Sequence, residues 1–263
     1  MRKILGPIAA VILVLVMVLM AKHSTKPNKE EQTSAQDPAQ ETMQQSEIPQ
    51  LSVELGTVEP YSDGDGVCIT YENEQGELQS AVFEDIDIDA WYMPAVNYVV
   101  SAELMGNASK DSAHPRFLPD HGLTRVQFAQ ILYRFLNGEP TAAGCPYQDV
   151  QPGDWYYDAV CWASEKGYIS GVTEDTFGTD EYLNCEQVLI VLYRTAGSPK
   201  TETTLDDYPY APKVSDYGAD AVAWAWGNGL IAEEECIWYP TQAISRTQIA
   251  LLLMRCDVLL KQK

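Results

Sequence analysis

Ala95-Val96-Asn97-Tyr98, Ala159-Val160-Cys161-Trp162 and Ala221-Val222-Ala223-Trp224 are three versions of one phrase, spaced about sixty residues apart. In each, apolar side chains fall at i, i+1 and i+3, a spacing that collects them on one helix face. Repetition at such an interval is to be read before any single motif. Offsets downstream are constant: Phe117, Phe177 and Trp238 each stand eight residues before Arg125, Cys185 and Arg246, while Arg134, Arg194 and Arg255 each stand nine after. Between those positions runs a second apolar stripe at helical spacing. It comprises Phe128, Ile131, Leu132 and Phe135, then Val188, Leu189, Val191 and Leu192, then Ile249, Leu252 and Leu253. Each of 83–140, 145–199 and 205–260 therefore reads as helix, loop, helix. One such pair buries too little surface to stand alone, so the three must stack. The expected fold class is mostly α, three helix-loop-helix repeats in a pseudo-threefold bundle. It is read as a monomer with an internal pseudo-trimer, with equivalent grooves between neighbours.

Outward from the repeats the character changes. Residues 51–82 contain Val67-Cys68-Ile69-Thr70-Tyr71 and Leu78-Gln79-Ser80-Ala81-Val82, separated by Glu72-Asn73-Glu74-Gln75-Gly76, which reads as a small β-hairpin extension. Residues 22–50 are Lys, Glu, Gln, Ser, Thr and Pro with almost no large apolar side chain, a disordered linker. Ile4–Ala21 carries no charge and follows Arg2-Lys3. Residues 1–21 are thus a signal anchor or signal peptide that places the body outside the cytoplasm.

Charge narrows the partners. Of 17 basic and 38 acidic side chains, five of each lie in residues 1–50, so the whole excess behind the net −21 belongs to residues 51–263. Such a field repels polyanions and excludes nucleic-acid binding by bulk charge. Apolar content of 46% with six Trp and fifteen Tyr is too rich for a disordered chain.

Several segments resemble S-layer homology repeats: Phe83-Glu84-Asp85-Ile86 with Trp91-Tyr92, Tyr147-Gln148-Asp149-Val150 with Trp155-Tyr156, and Val214-Ser215-Asp216-Tyr217 leading to Ala221. So do Phe117-Leu118-Pro119-Asp120 before Leu123-Thr124-Arg125-Val126-Gln127, and Trp238-Tyr239-Pro240 before Ile244-Ser245-Arg246-Thr247-Gln248. The resemblance implies a non-catalytic, cell-surface module. Its partner would be secondary cell-wall polysaccharide carrying pyruvyl ketals, bound in the grooves between repeats, with membrane attachment through the N-terminal segment. The alternative is a degenerate relative that serves as a protein-protein adaptor between membrane and wall.

Candidate ligand-binding residues under this reading are Arg125, Arg246, Thr124, Ser245, Asp85, Trp91, Asp149 and Trp155. Thr124-x-x-Gln127 and Ser245-x-x-Gln248 also fit capping boxes, a purely structural role. An arginine at the first helical position opposes the helix dipole, so Arg125 and Arg246 need another cause. One is a carboxylate ligand held by the fork and the N-terminal amides; the other is an ion pair with a neighbouring acid such as Asp85. Trp91 and Trp155 offer flat faces to sugar rings or fill core, whereas Tyr98, Trp162 and Trp224 read as core. Cys185 replaces arginine in the second repeat, so that groove lacks the cation. Glu103 and Asn107 stand where the second repeat has Gly167 and Gly171.

Six cysteines in an exported chain permit up to three disulfides, in any of fifteen pairings, or free thiols in an anaerobic host. Nothing spaced for zinc occurs, and Asp63-Gly64-Asp65-Gly66 and Asp85-Ile86-Asp87-Ile88-Asp89 lack a calcium-loop frame. His23, His114 and His121 accompany no nucleophile motif. No metal, cofactor or catalysis is expected.

Overall fold

The computed structural model describes residues 51–62, 64–232 and 236–260, all within the unit that begins at Leu51. The expected anchor, the linker and Asp63 lie outside the described residues. Among the described residues no helix is long and apolar enough to cross a membrane.

Strands β1 (Thr57–Pro60), β2 (Val67–Glu72) and β3 (Leu78–Phe83) form an antiparallel sheet in that order. Register runs from Thr57↔Thr70 to Pro60↔Val67 on one side of β2, and from Val67↔Phe83 to Glu72↔Leu78 on the other. Val67, Ile69 and Phe83 are fully buried, the inward half of a period-two pattern. The tight β2–β3 turn is held by the Asn73 side chain, whose Oδ1 accepts from the amides of Gln75 and Glu77 at 3.1 and 2.8 Å.

The six helices are α1 (Met93–Ser101), α2 (Arg125–Phe135), α3 (Tyr157–Glu165), α4 (Cys185–Thr195), α5 (Ala219–Gly227) and α6 (Arg246–Leu260). Pro94 stands in the first turn of α1, where its missing N–H costs nothing. Capping boxes open α2 from Thr124 and Gln127 and α4 from Asn184 and Gln187. Ser245 and Gln248 exchange the same two bonds before α6, at 2.8 and 3.2 Å. Tyr98, Trp162 and Trp224 are buried as the sequence suggests. The arginine near the end of each second-helix stripe does the same work in all three segments. Arg134, Arg194 and Arg255 donate from Nη1 to the carbonyls of Glu103, Tyr168 and Leu230, at the end of the first helix of the same segment.

A mostly α, pseudo-threefold bundle with a hairpin extension does not describe this architecture. Six helices share the described chain with a three-stranded sheet, so the fold is α+β, and the extension is a sheet rather than a hairpin. Thr57–Pro60 escapes notice in the sequence because it has no alternation and ends on proline, which only an edge strand tolerates. The helices also pack across segments: α2 lies on α3, α4 on α5, and α6 on α1.

Candidate functional site

The loops before α2, α4 and α6 meet one another. Single antiparallel bridges join Gly122 to Ser245, Thr124 to Tyr182, and Asn184 to Ala243. The first amide of each of these helices donates to a carbonyl of a neighbouring loop: Arg125 to Glu181 at 2.8 Å, Cys185 to Gln242 at 3.0 Å, Arg246 to His121 at 2.9 Å. Thus α2, α4 and α6 start from equivalent seats, and three joints result.

In two joints the seat holds arginine. Arg125 donates from Nε to the Phe177 carbonyl at 2.8 Å and from Nη2 to the Ser170 carbonyl, with its guanidinium 4.8 Å from the Phe177 ring centre. Arg246 repeats this with the carbonyls of Phe117 and Gly106 and stands 4.6 Å from the Phe117 ring. Both residues are only 8% exposed. Burial lowers the pKa of Arg246 to about 10, against an opposing pull from Asp85; burial lowers Arg125 as well, against Glu181. Both remain charged at neutral pH. Neither dipole cost nor ion pair describes their position, because carbonyls hold the fork and Asp85 acts on Arg246 only through its field. In each arginine the remaining nitrogen, Nη1, makes no hydrogen bond among the described residues.

Asp85 and Asp149 shape the loops that receive the arginines. The Asp85 carboxylate accepts from the amides of Phe117 and Leu118 at 2.7 and 2.8 Å. Asp149 accepts from Phe177, Gly178 and Thr179 at 2.8, 2.8 and 3.3 Å. Burial alone would raise the Asp149 pKa, but the amides of Phe177 and Gly178 outweigh it and hold the group below its ordinary 3.8. Leu118 (φ 58) and Gly178 (φ 82) occupy the same left-handed turn. Hence Asp85 gathers with Arg246 and Asp149 with Arg125. Thr124 and Ser245 remain helix caps beside them. Trp91 (48% exposed) and Trp155 (63%) are surface residues, not core. They stack edgewise on Tyr92 and Tyr156, not on the arginines.

The third joint is rebuilt. Cys185 provides no guanidinium, and both carbonyls that a fork would bridge are satisfied from within the third segment. Tyr208 Oη donates to the Trp238 carbonyl, and Trp238 Nε1 to the Ala232 carbonyl at 2.9 Å. Next to Cys185, Glu186 is 1% exposed and accepts from Ser215 N, Ser215 Oγ and Tyr217 Oη at 3.0, 2.7 and 2.8 Å.

The resemblance sets Val214–Tyr217 beside Phe83–Ile86, but the buried counterpart of Ile86 and Val150 is Tyr208. Four extra residues and two 3₁₀ turns, Ala211–Lys213 and Asp216–Gly218, intervene. The offset that recovers the register is the four residues from Trp91 to Ala95 and from Trp155 to Ala159, which recurs from Tyr217 to Ala221. Tyr217, 68% exposed, is therefore the third member of that aromatic set. Among the described residues no group of three or more His, Cys, Asp or Glu is placed to hold a metal ion.

The S-layer homology domain matches residues 82–129 and 146–184, which hold Asp85, Arg125 and Asp149. A cellulosome-anchoring protein of Acetivibrio thermocellus is 30% identical over 111 residues, 40% of this chain and 24% of that protein. An endoglucanase of Bacillus sp. is 26% identical over 148 residues, 55% of this chain and 15% of the enzyme. Exoglucanase XynX of Acetivibrio thermocellus is 25% identical over 182 residues, 66% of this chain and 16% of the enzyme. The chain thus spans a quarter or less of the length of these relatives. The family match lies over α1, the start of α2, α3 and both aspartate-held loops, so the chain carries S-layer homology domain sequence at residues 82–129 and 146–184.

Proposed function

We propose that this chain is a non-catalytic anchoring module that attaches to cell-wall polysaccharide at the bacterial surface. The observation that carries this is the distribution of the shared segment. One stretch recurs in an anchoring protein and in enzymes with different glycan-cleaving names, and accounts for at most 24% of each. A part common to such partners is an attachment device more readily than an active site.

The finer reading puts the glycan at the two arginine joints. Each guanidinium is fixed by two carbonyls and keeps Nη1 uncommitted, a preorganised donor for an acidic substituent such as a pyruvyl ketal. The amides of Arg125 and Arg246 are already used across the joints, so the guanidinium rather than the helix end carries the recognition. Trp91 and Trp155 add exposed faces on which sugar rings stack. A net charge of −21 does not forbid this, because the field is screened within about 8 Å at physiological salt. The adaptor reading is favoured only at the third joint, where Cys185 offers no cation and the neighbouring Glu186 carboxylate is held by Ser215 and Tyr217.

Sedimentation of the full chain with cell-wall sacculi tests the proposal. The chain should pellet with native sacculi and stay in the supernatant with sacculi stripped of pyruvyl groups. Equal pelleting on both would remove the pyruvyl reading, and no pelleting on either would remove the wall reading altogether.

A further inference from the structure

We propose that Cys185 and Cys236 form a disulfide across the third joint when the chain meets an oxidant, giving that joint a covalent tie where the other two have an arginine. This does not depend on the glycan reading.

Cys185 occupies the same backbone seat as Arg125 and Arg246, with its amide on the Gln242 carbonyl as theirs are on Glu181 and His121. From that seat both arginine side chains cross to the carbonyl of the aromatic residue eight positions before the next helix, Phe177 or Phe117. In the third joint that aromatic residue is Trp238, and Cys236 lies two residues before it on the same loop. The Cys185 side chain is buried. Burial, then the charge of Cys236 and of Glu186, pushes its thiol up to about 12, which places the two sulfurs within electrostatic reach. Tyr208 and Trp238 already satisfy the carbonyls of Trp238 and Ala232, so closing a bond here leaves both carbonyls paired. Other sulfurs are poorer partners: Cys256 is fully buried on α6, Cys68 is on β2, and Cys145 interacts with Cys161.

The oxidant is a disulfide, either a thiol–disulfide oxidoreductase or a small-molecule disulfide. The more exposed Cys236 attacks first as thiolate and breaks the oxidant's S–S bond, releasing one thiol. The Cys185 thiolate then displaces the second. One S–S bond forms for one broken; the cysteines lose two protons and two electrons, and the oxidant ends as a dithiol or as two thiols.

Tryptic mapping of the full chain, oxidised with glutathione disulfide and handled without reductant, tests the pairing. The expected product is peptide 167–194 linked to peptide 214–246, separating on reduction. Recovery of Cys185 as a free thiol after oxidation, or its linkage to peptide 135–166 or 256–261, overturns the proposal. A melting experiment checks it independently. Cys236→Ser should lower the melting temperature of the oxidised chain by about 5–15 °C and leave the reduced chain nearly unchanged. An equal effect in both states contradicts a covalent role.

Discussion

At the residue scale, the third joint shows how one replacement reorganises its surroundings. With Cys185 in the arginine seat, the Trp238 and Ala232 carbonyls would be orphaned unless another donor reached them, and Tyr208 Oη and Trp238 Nε1 do so. Cys185→Arg should therefore destabilise, by about 3 kcal/mol, because a guanidinium enters a buried slot whose acceptors are taken. Tyr208→Val also destabilises alone, by about 1–3 kcal/mol, through the unpaired Trp238 carbonyl. The double variant should recover at least about 1 kcal/mol relative to additivity, as read from urea unfolding; strict additivity would show that the two sites do not exchange roles. Capping boxes were legible from Thr124-x-x-Gln127 and Ser245-x-x-Gln248 because their partners are local. Destinations of the arginines were not legible, since Ser170 and Gly106 lie 45 and 140 residues away along the chain.

At the scale of elements, each first helix is followed by a turn that requires the left-handed backbone, and Glu103, Gly167 and Gly229 adopt φ 54, 70 and 68 there. Only Glu103 carries a Cβ into that region, at a local cost of about 1–2 kcal/mol. Glu103→Gly should therefore stabilise by about 0.5–1 kcal/mol after the entropy of an added glycine is deducted. An unchanged or lowered urea midpoint would contradict the turn assignment. The loop held by Asp149 gives a pH signature. Its folded pKa lies below the ordinary 3.8, so its contribution is complete above that value and is lost as pH falls through the depressed folded pKa. Asp149→Asn should unfold at a milder acid pH midpoint than the parent but differ from it little in slope above pH 5; a parallel loss at every pH would assign Asp149 no ionic part. The alternating stretches Val67–Tyr71 and Leu78–Val82 announced two strands, and helical periodicity announced the helices. What periodicity could not convey was β1, whose partner β2 supplies the order that Thr57–Pro60 lacks, or which helices pack together.

For the molecule as a whole, the seats of α2, α4 and α6 and the packing of α6 on α1 bind the described chain into a closed set of contacts. Ser52 contributes to the closure, donating from N and Oγ to the two carboxylate oxygens of Asp257 at 2.6 Å each. The repeat, the offsets and the substitution of arginine by cysteine were all readable in the sequence. That Tyr208 would take up an acceptor of the cysteine joint was not, because four extra residues in the third segment displace its register. Truncating Arg125 or Arg246 would leave two carbonyls unpaired at about 1–3 kcal/mol each, so lost binding in such variants would not separate recognition from folding. The direct measurement is calorimetric titration of the unaltered full chain with a purified pyruvylated wall oligosaccharide. Saturation at two sites per chain, one for each arginine joint, and no heat with the same oligosaccharide after removal of its pyruvyl group, is the predicted result. Three equivalent sites, or equal binding of the two oligosaccharides, would contradict it.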